Sequence, residues 1–311
     1  MLLLRSLDVR RRREGEEYLK LTLSNRTGVV PAVVLDNVAA ARAVCRSGEP
    51  VHVAGAFSVH PSHGGRLVVE AIRRADPGEY DSEALLDGPT RPVEQMEADL
   101  RELVATVQDL HLHGLLDALF AQDAPTWRHF RDAPAAKHYH QAYRHGLLEH
   151  SLTVAQAVSA ISATFPGIDR DVAVTGALLH DIGKLDAYEV RDGAIEMSDQ
   201  GRLYGEIPLG YYRVRSLIES QDDFPAQTAQ ALLHIILSHH GSLEHGSPVI
   251  PCTREATLVH MADNLGGRLG SFDRIERALP AGAQWSSWDK GIGGGAYFAA
   301  PAVAADQRRA A

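Results

Sequence analysis

The sequence predicts a two-domain α+β chain, a small β-barrel followed by an all-helical domain, on three observations. Near the start, Leu19, Leu21 and Leu23 alternate with Tyr18, Lys20 and Thr22, the period-2 pattern of a strand with one dry and one wet face. After Ala75-Asp76-Pro77-Gly78 the apolar residues recur at helical spacing, in stretches at about 92–120, 144–163, 169–183, 208–221, 226–240 and 254–267. The length, 311 residues with 45% hydrophobic content, suits about two domains of roughly 150 residues with substantial cores.

Residues 1–75 carry the strand signals. Beyond residues 18–23, β-like runs follow at Val29–Leu35, Val51–Phe57 and Arg66–Ile72, punctuated by Asn25-Arg26-Thr27-Gly28, Ser47-Gly48-Glu49-Pro50 and His63-Gly64-Gly65. Four or five short strands make a small barrel. The Ala-rich segment Asn37–Cys45 predicts one short helix between the runs Val29–Leu35 and Val51–Phe57, where an OB-fold places its helix, so the domain reads as an OB-fold. Arg10 to Arg13, followed by Glu14, Glu16 and Glu17, reads as a solvated hairpin tip. Tyr18, Lys20 and Arg26 on the wet face are candidates for stacking bases and tracking phosphates, although Tyr18 and Phe57 are the only aromatics available for stacking.

Residues 76–100 read as a linker and leading helix, residues 101–280 as the helical domain and residues 281–311 as a tail carrying Trp285, Trp288 and the cluster Gly291, Gly293, Gly294 and Gly295. Met1 to Leu4 run directly into Arg5, which leaves no apolar stretch of signal-peptide length, and no run reaches the roughly 18 apolar residues of a membrane span. A soluble, cytoplasmic protein is expected. Cys45 and Cys252 lie far apart without a CxxC pattern, as reduced thiols do. Any metal site must therefore be built from the sixteen histidines and from carboxylates. Net charge is −9, but residues 1–75 hold twelve Lys and Arg against seven Asp and Glu. A basic front and an acidic, His-rich body suggest polyanion capture at one end and metal chemistry at the other.

The sharpest local signal is Ala177-Leu178-Leu179-His180-Asp181-Ile182-Gly183-Lys184, an apolar helix ending in a His-Asp pair. Adjacent helical residues diverge by about 100°, so both reach one metal only if it sits against that turn and other helices supply more ligands. Candidates for these are His150, which lies early in one helix, His239 and His240, which end another ahead of Gly241, and Asp263, late in a third. Imidazole with carboxylate suits Mn, Fe, Co, Zn or Ni and leaves positions open for water and a phosphoryl oxygen. With Lys184 as a nearby cation to absorb developing negative charge, the reaction class is hydrolysis, and Asp181 and Lys184 are the catalytic candidates. Alone, His180-Asp181 also reads as an exposed polar helix end, His150 as a satisfied core histidine and Asp263-Asn264 as a helix cap.

At these residues the chain resembles the HD superfamily, whose pattern H…HD…D is matched by His150, His180-Asp181 and Asp263. The segments HQAYRHGLLEHSL, GALLHDIGKL, ILSHHGSLEHGSPVIP and EATLVHMADNL, in that order over about residues 15–290, are similar to the OB-plus-HD 3′–5′ exoribonucleases of the YhaM type. The resemblance implies an HD phosphohydrolase domain and Mn- or Co-supported release of nucleoside monophosphates from RNA 3′ ends, with single-stranded DNA as another substrate and a homo-oligomer as the assembly. It implies metal ligation by His150, His180, Asp181, His239 and Asp263, with His240 a further candidate, and substrate contacts by Lys137, His140 and Tyr143. The chain departs from the pattern at Glu206, where a His is expected, and at His145, where a small residue is usual. Glu206 reads equally as a Mn ligand and as a solvated surface carboxylate. Two other functions fit the same residues: hydrolysis of small nucleotides with the barrel regulatory, and nucleic-acid binding without catalysis.

Overall fold

The computed structural model describes residues 1–12, 15–25, 28–60, 64–80, 85, 88–89, 91–137, 141–191, 194–280 and 282–299. By its internal contacts the chain divides into two compact units, Met1–Leu85 with Arg268–Ala311, and Leu86–Gly267.

Five strands, β1 (Leu2–Arg11), β2 (Glu17–Asn25), β3 (Gly28–Val34), β4 (Pro50–His60) and β5 (Gly64–Arg74), close a barrel in the order β1-β2-β3-β5-β4. All pairings are antiparallel except β3 with β5, and the short helix α1 (Val38–Val44) connects β3 to β4. That order, with its single parallel pairing and its helix, is the OB arrangement. Alternation on β2 sends Leu19, Leu21 and Leu23 into the interior beside Leu4, Ala32, Val51 and Val69. Tyr18 and Lys20 fall on the other face, half-buried and exposed respectively, while Arg26 lies outside the described residues. Arg11 and Arg12 pair with Glu17 and Glu16 across the β1–β2 hairpin, at 3.2 and 3.3 Å.

The helices α2 (Val93–Ala105), α3 (Leu110–Phe120), α4 (Trp127–Asp132), α5 (Gly146–Ser162), α6 (Arg170–Leu179), α7 (Lys184–Ala187), α8 (Asp199–Tyr204), α9 (Glu206–Glu219), α10 (Ala226–Ser238) and α11 (Arg254–Ala278) follow. The helical stretch expected at 92–120 is two helices. Asp109 breaks it, because its carboxylate accepts from the His111 and Leu112 amides, both at 2.9 Å, and so caps α3. Asp109→Ala is expected to cost about 1 kcal/mol of stability, measured by denaturant unfolding.

Among the described residues the region is helical except for one hairpin, β6 (Tyr188–Arg191) with β7 (Ala194–Met197). The core gathers Phe130, Leu147, Leu148, Leu152, Leu178, Ile182, Ile235 and Ile236, with α5 packed on α6, α6 on α10 and α10 on α9. Among the described residues, no helix is long and apolar enough to cross a membrane. In the C-terminal segment, bridges between Trp285 and Tyr297 and between Asp289 and Gly294 pin a turn that the Arg274–Asp289 ion pair clasps at 2.8 Å.

Candidate metal centre

Five segments bring their polar side chains to one place. His150 lies in the second turn of α5, His180 caps the C-terminus of α6, and Asp181 follows in the next turn. His239 caps the C-terminus of α10 with His240 after it, Glu206 opens α9, and Asp263 stands on α11. Their donor atoms form two groups that meet at Asp181. His150, His180 and Asp263 make one, and Asp181, Glu206, His239 and His240 the other, with all atoms of a group within 4.8 Å of one another. Asp181 spans both: Oδ2 lies 3.1 Å from His150 Nε2 and 3.3 Å from His180 Nε2, while Oδ1 lies 3.5 Å from His239 Nε2. Asp263 Oδ1 is 3.1 Å from His150 Nε2, and Glu206 Oε1 is 3.2 Å from His240 Nε2.

Glycine places Glu206 here. A Cβ on Gly183 would come closer than 3.0 Å to the Glu206 carbonyl oxygen and the Gly210 nitrogen, so the HDIGK turn abuts the first turns of α9. Gly241 has φ +82, and the ring of His260 fills the space where its Cβ would stand. His260 Nδ1 in turn donates to the His239 carbonyl at 2.7 Å, which gives the HHG turn its shape and leaves His260 a structural role. His145 takes the left-handed φ of 70 before α5, is buried, and sets Nδ1 2.8 Å from the Arg131 carbonyl.

All four imidazoles present Nε2 to the cluster because each Nδ1 has an oxygen to donate to. The partners are Gln141 Oε1 at 3.1 Å for His150, Ala177 O at 2.7 Å for His180, Ile236 O at 2.8 Å for His239 and His245 O at 2.9 Å for His240. This outer layer fixes the tautomer that a metal-ligating histidine needs. Asp181 Oδ1 and His239 Nε2 are buried with no hydrogen-bond partner among the described residues, since 3.5 Å is too long for a hydrogen bond. Two orphaned acceptors in a buried N/O donor set, beside two more carboxylates, fit a divalent cation. The floor of the cluster is closed, with side-chain exposure of 0% for His180 and His239 and 2% for Asp181. Its rim is open, at 20% for Asp263, 18% for Glu206 and 28% for His240.

Electrostatics holds the carboxylates ionised. Burial opposes the charge on Asp181, but the Lys184 ammonium, 2.6 Å from Oδ2, and the surrounding imidazoles hold its carboxyl well below the usual range. Burial likewise works against Asp263 and Glu206, and His150 in the first case and Lys184 with His240 in the second hold them low. Burial also disfavours a charged His150, yet hydrogen bonds to Asp181 and Asp263 push it up to about 9, whereas burial moves His239 down. The pair of carboxylates on His150 thus favours a cation at that position.

The structure brings together His150, His180, Asp181, Lys184, Glu206, His239, His240 and Asp263. It engages Tyr143 elsewhere, as its hydroxyl donates to Glu149. Lys137 is half-buried, and His140 lies outside the described residues. Gln141 was not legible as part of the site, because a lone Gln nine residues before a His carries no spacing signal.

Residues 147–267 match the family model for the HD domain. The chain is 28% identical to a protein named 3′-5′ exoribonuclease YhaM from Geobacillus sp. (strain WCH70), over 86% of this chain and 81% of that protein. It is 27% identical to proteins of the same name from Bacillus subtilis (strain 168), over 86% and 83%, and from Listeria monocytogenes serotype 4b (strain CLIP80459), over 84% and 82%. No solved structure matches. With its ligand-type residues drawn to one centre in the H…HD…D order, the segment at residues 147–267 matches the HD domain, a family that implies a divalent metal, within a chain similar to YhaM exoribonucleases over most of its length.

Proposed function

We propose that this protein is a metal-dependent hydrolase that removes nucleoside monophosphates from the 3′ end of single-stranded RNA, with single-stranded DNA as a second substrate. The observation that carries this reading is the centre around Asp181, in which three carboxylates and four imidazoles meet and two of their own acceptor atoms, Asp181 Oδ1 and His239 Nε2, are buried and unpaired among the described residues. The OB-type barrel and the similarity to exoribonucleases support a strand as the substrate, since such barrels bind single strands by stacking and phosphate contact.

In this reading His150, His180, Asp181 and Asp263 hold one cation, and Asp181, Glu206, His239 and His240 hold a second. Mn or Co is the proposed metal, in keeping with the N/O donor set, with Fe, Ni and Zn as other candidates. When bound, such a metal supplies Lewis acidity toward a phosphoryl oxygen and lowers the pKa of a water ligand. The rest falls to the chain. The Nδ1–H bonds keep each imidazole aimed inward, and Lys184 holds Asp181 anionic and offers positive charge where a phosphodiester gains negative charge. The open rim at Asp263, Glu206 and His240 admits the scissile phosphate. Lys137, His140 and Tyr143 hold the strand near the site in this proposal, and Tyr18, Lys20 and Arg26 hold it on the barrel. The proposed domains are the OB module at 1–75, a linker and leading helix at 76–100, the HD domain at 101–280 and a tail at 281–311.

The salt dependence of binding tests the substrate class. In chelator, so that nothing is cleaved, affinity for a labelled single-stranded RNA is expected to fall steeply between 50 and 200 mM salt, because several phosphate contacts release counterions together. A flat response, equal to that of a mononucleotide, would sink the polymer reading and favour a small nucleotide.

A further inference from the structure

Of the four imidazoles in the centre, three are oriented by backbone carbonyls and one by a side chain. The difference follows from their places on the helices. His180 and His239 stand at the C-caps of α6 and α10, where the carbonyls of Ala177 and Ile236, three residues back, lie among the last four and have no amide to accept from within the helix. His240 uses the His245 carbonyl in the following loop. His150 has no such source, because it sits near the N-terminal end of a seventeen-residue helix, where the preceding carbonyls accept from amides further along. Its Nδ1 must find an acceptor off its own helix.

Gln141 supplies it. The residue is buried, and its Oε1 lies 3.1 Å from His150 Nδ1. The backbone that delivers it is held in an uncommon conformation, with φ +59. That conformation is clamped: the Gln141 carbonyl accepts from the Ala135 amide at 3.1 Å, and Gly146 leaves room for it, since a Cβ there would strike the same carbonyl. A non-glycine residue kept at positive φ and aimed at a functional cluster is a place where backbone strain is offset by the surrounding fold.

We infer that Gln141 is a positioning residue for the metal centre: its Oε1 accepts a hydrogen bond from His150 Nδ1–H and so leaves Nε2, which faces Asp181 and Asp263, as the nitrogen that gives up its proton to a metal. The inference rests on His150 being a ligand. An amide also carries an NH2 group, and the opposite orientation would donate to Nδ1 and leave the proton on Nε2, where it would block a metal. The two orientations have opposite consequences, so acceptor-only and apolar replacements separate them.

The test is Mn affinity, read by titration of the metal-free protein, together with the visible spectrum of the Co-loaded protein, for wild type, Gln141→Glu and Gln141→Met. Glu can only accept when ionised, and Met has similar length with no strong acceptor. Gln141→Met is expected to bind Mn about 10- to 100-fold more weakly and to shift the Co bands, the scale of loss for an outer partner of a ligating histidine. Gln141→Glu is expected to stay within about threefold of wild type on the same grounds. Both variants keep a side chain with Cβ at the same strained φ, so the ratio between them isolates the hydrogen bond. Wild-type affinity in Gln141→Met, or equal weakness in both variants, would overturn the role. His150→Ala separates the two levels of the claim: undiminished metal there refutes ligation by His150 itself, while lost metal there beside an unaffected Gln141→Met refutes Gln141 alone.

Discussion

Asp181→Asn is expected to empty the metal centre and to abolish hydrolysis, the largest effect of any single substitution in the chain. Its two oxygens serve both donor groups, Oδ2 among His150, His180 and Lys184, and Oδ1 facing His239. Asn preserves the shape but removes the charge, replaces one acceptor with a donor and leaves the Lys184 ammonium without the carboxylate it donates to. The loss should exceed the roughly 10- to 100-fold that removing an outer partner costs, because in the proposed centre Asp181 is itself a ligand. Elemental analysis of the purified variant measures it. Full metal content with full activity would refute the role of Asp181.

Gly183→Ala is expected to be the most damaging change that touches no donor atom. The added Cβ would overlap the Glu206 carbonyl and the Gly210 nitrogen, both backbone atoms that cannot swing aside. Either α9 moves outward or the turn after His180 distorts. Overpacking of this kind costs about 3 kcal/mol, at the upper end of its usual range, because no flexible side chain absorbs it. The same displacement draws Glu206 away from His240, so metal affinity and stability fall together. Thermal unfolding with and without Mn reads both. A variant that loses stability but keeps the wild-type increment on adding Mn would show that Glu206 does not depend on this contact.

How far the sequence carried depended on the reach of each signal. The interior of β2 was legible because Leu19, Leu21 and Leu23 carry a local period that burial alone explains. β1 was not seen as a strand of its own, since Arg5 and the Arg10–Arg12 run interrupt its apolar pattern and its register shifts between Leu4 and Ser6. The six-residue α4 is too short to display a helical period, yet Trp127 and Phe130 bury themselves through it. In the centre, His150, His180-Asp181, His239 and Asp263 were legible as a spaced motif. Glu206 stayed undecided because its place depends on Gly183 meeting Gly210 across two helices, which no local pattern encodes. Gln141 was invisible for the same reason: its role exists only once a left-handed backbone and the absent side chain of Gly146 aim it at His150.

The most direct measurement is incubation of the purified protein with Mn and a 5′-labelled single-stranded RNA, with products resolved over time beside a His180→Ala control. The expected result is a ladder that shortens progressively from the 3′ end and is absent in the control. Untouched RNA, or a ladder of equal strength from His180→Ala, would contradict a metal-dependent 3′–5′ exonuclease.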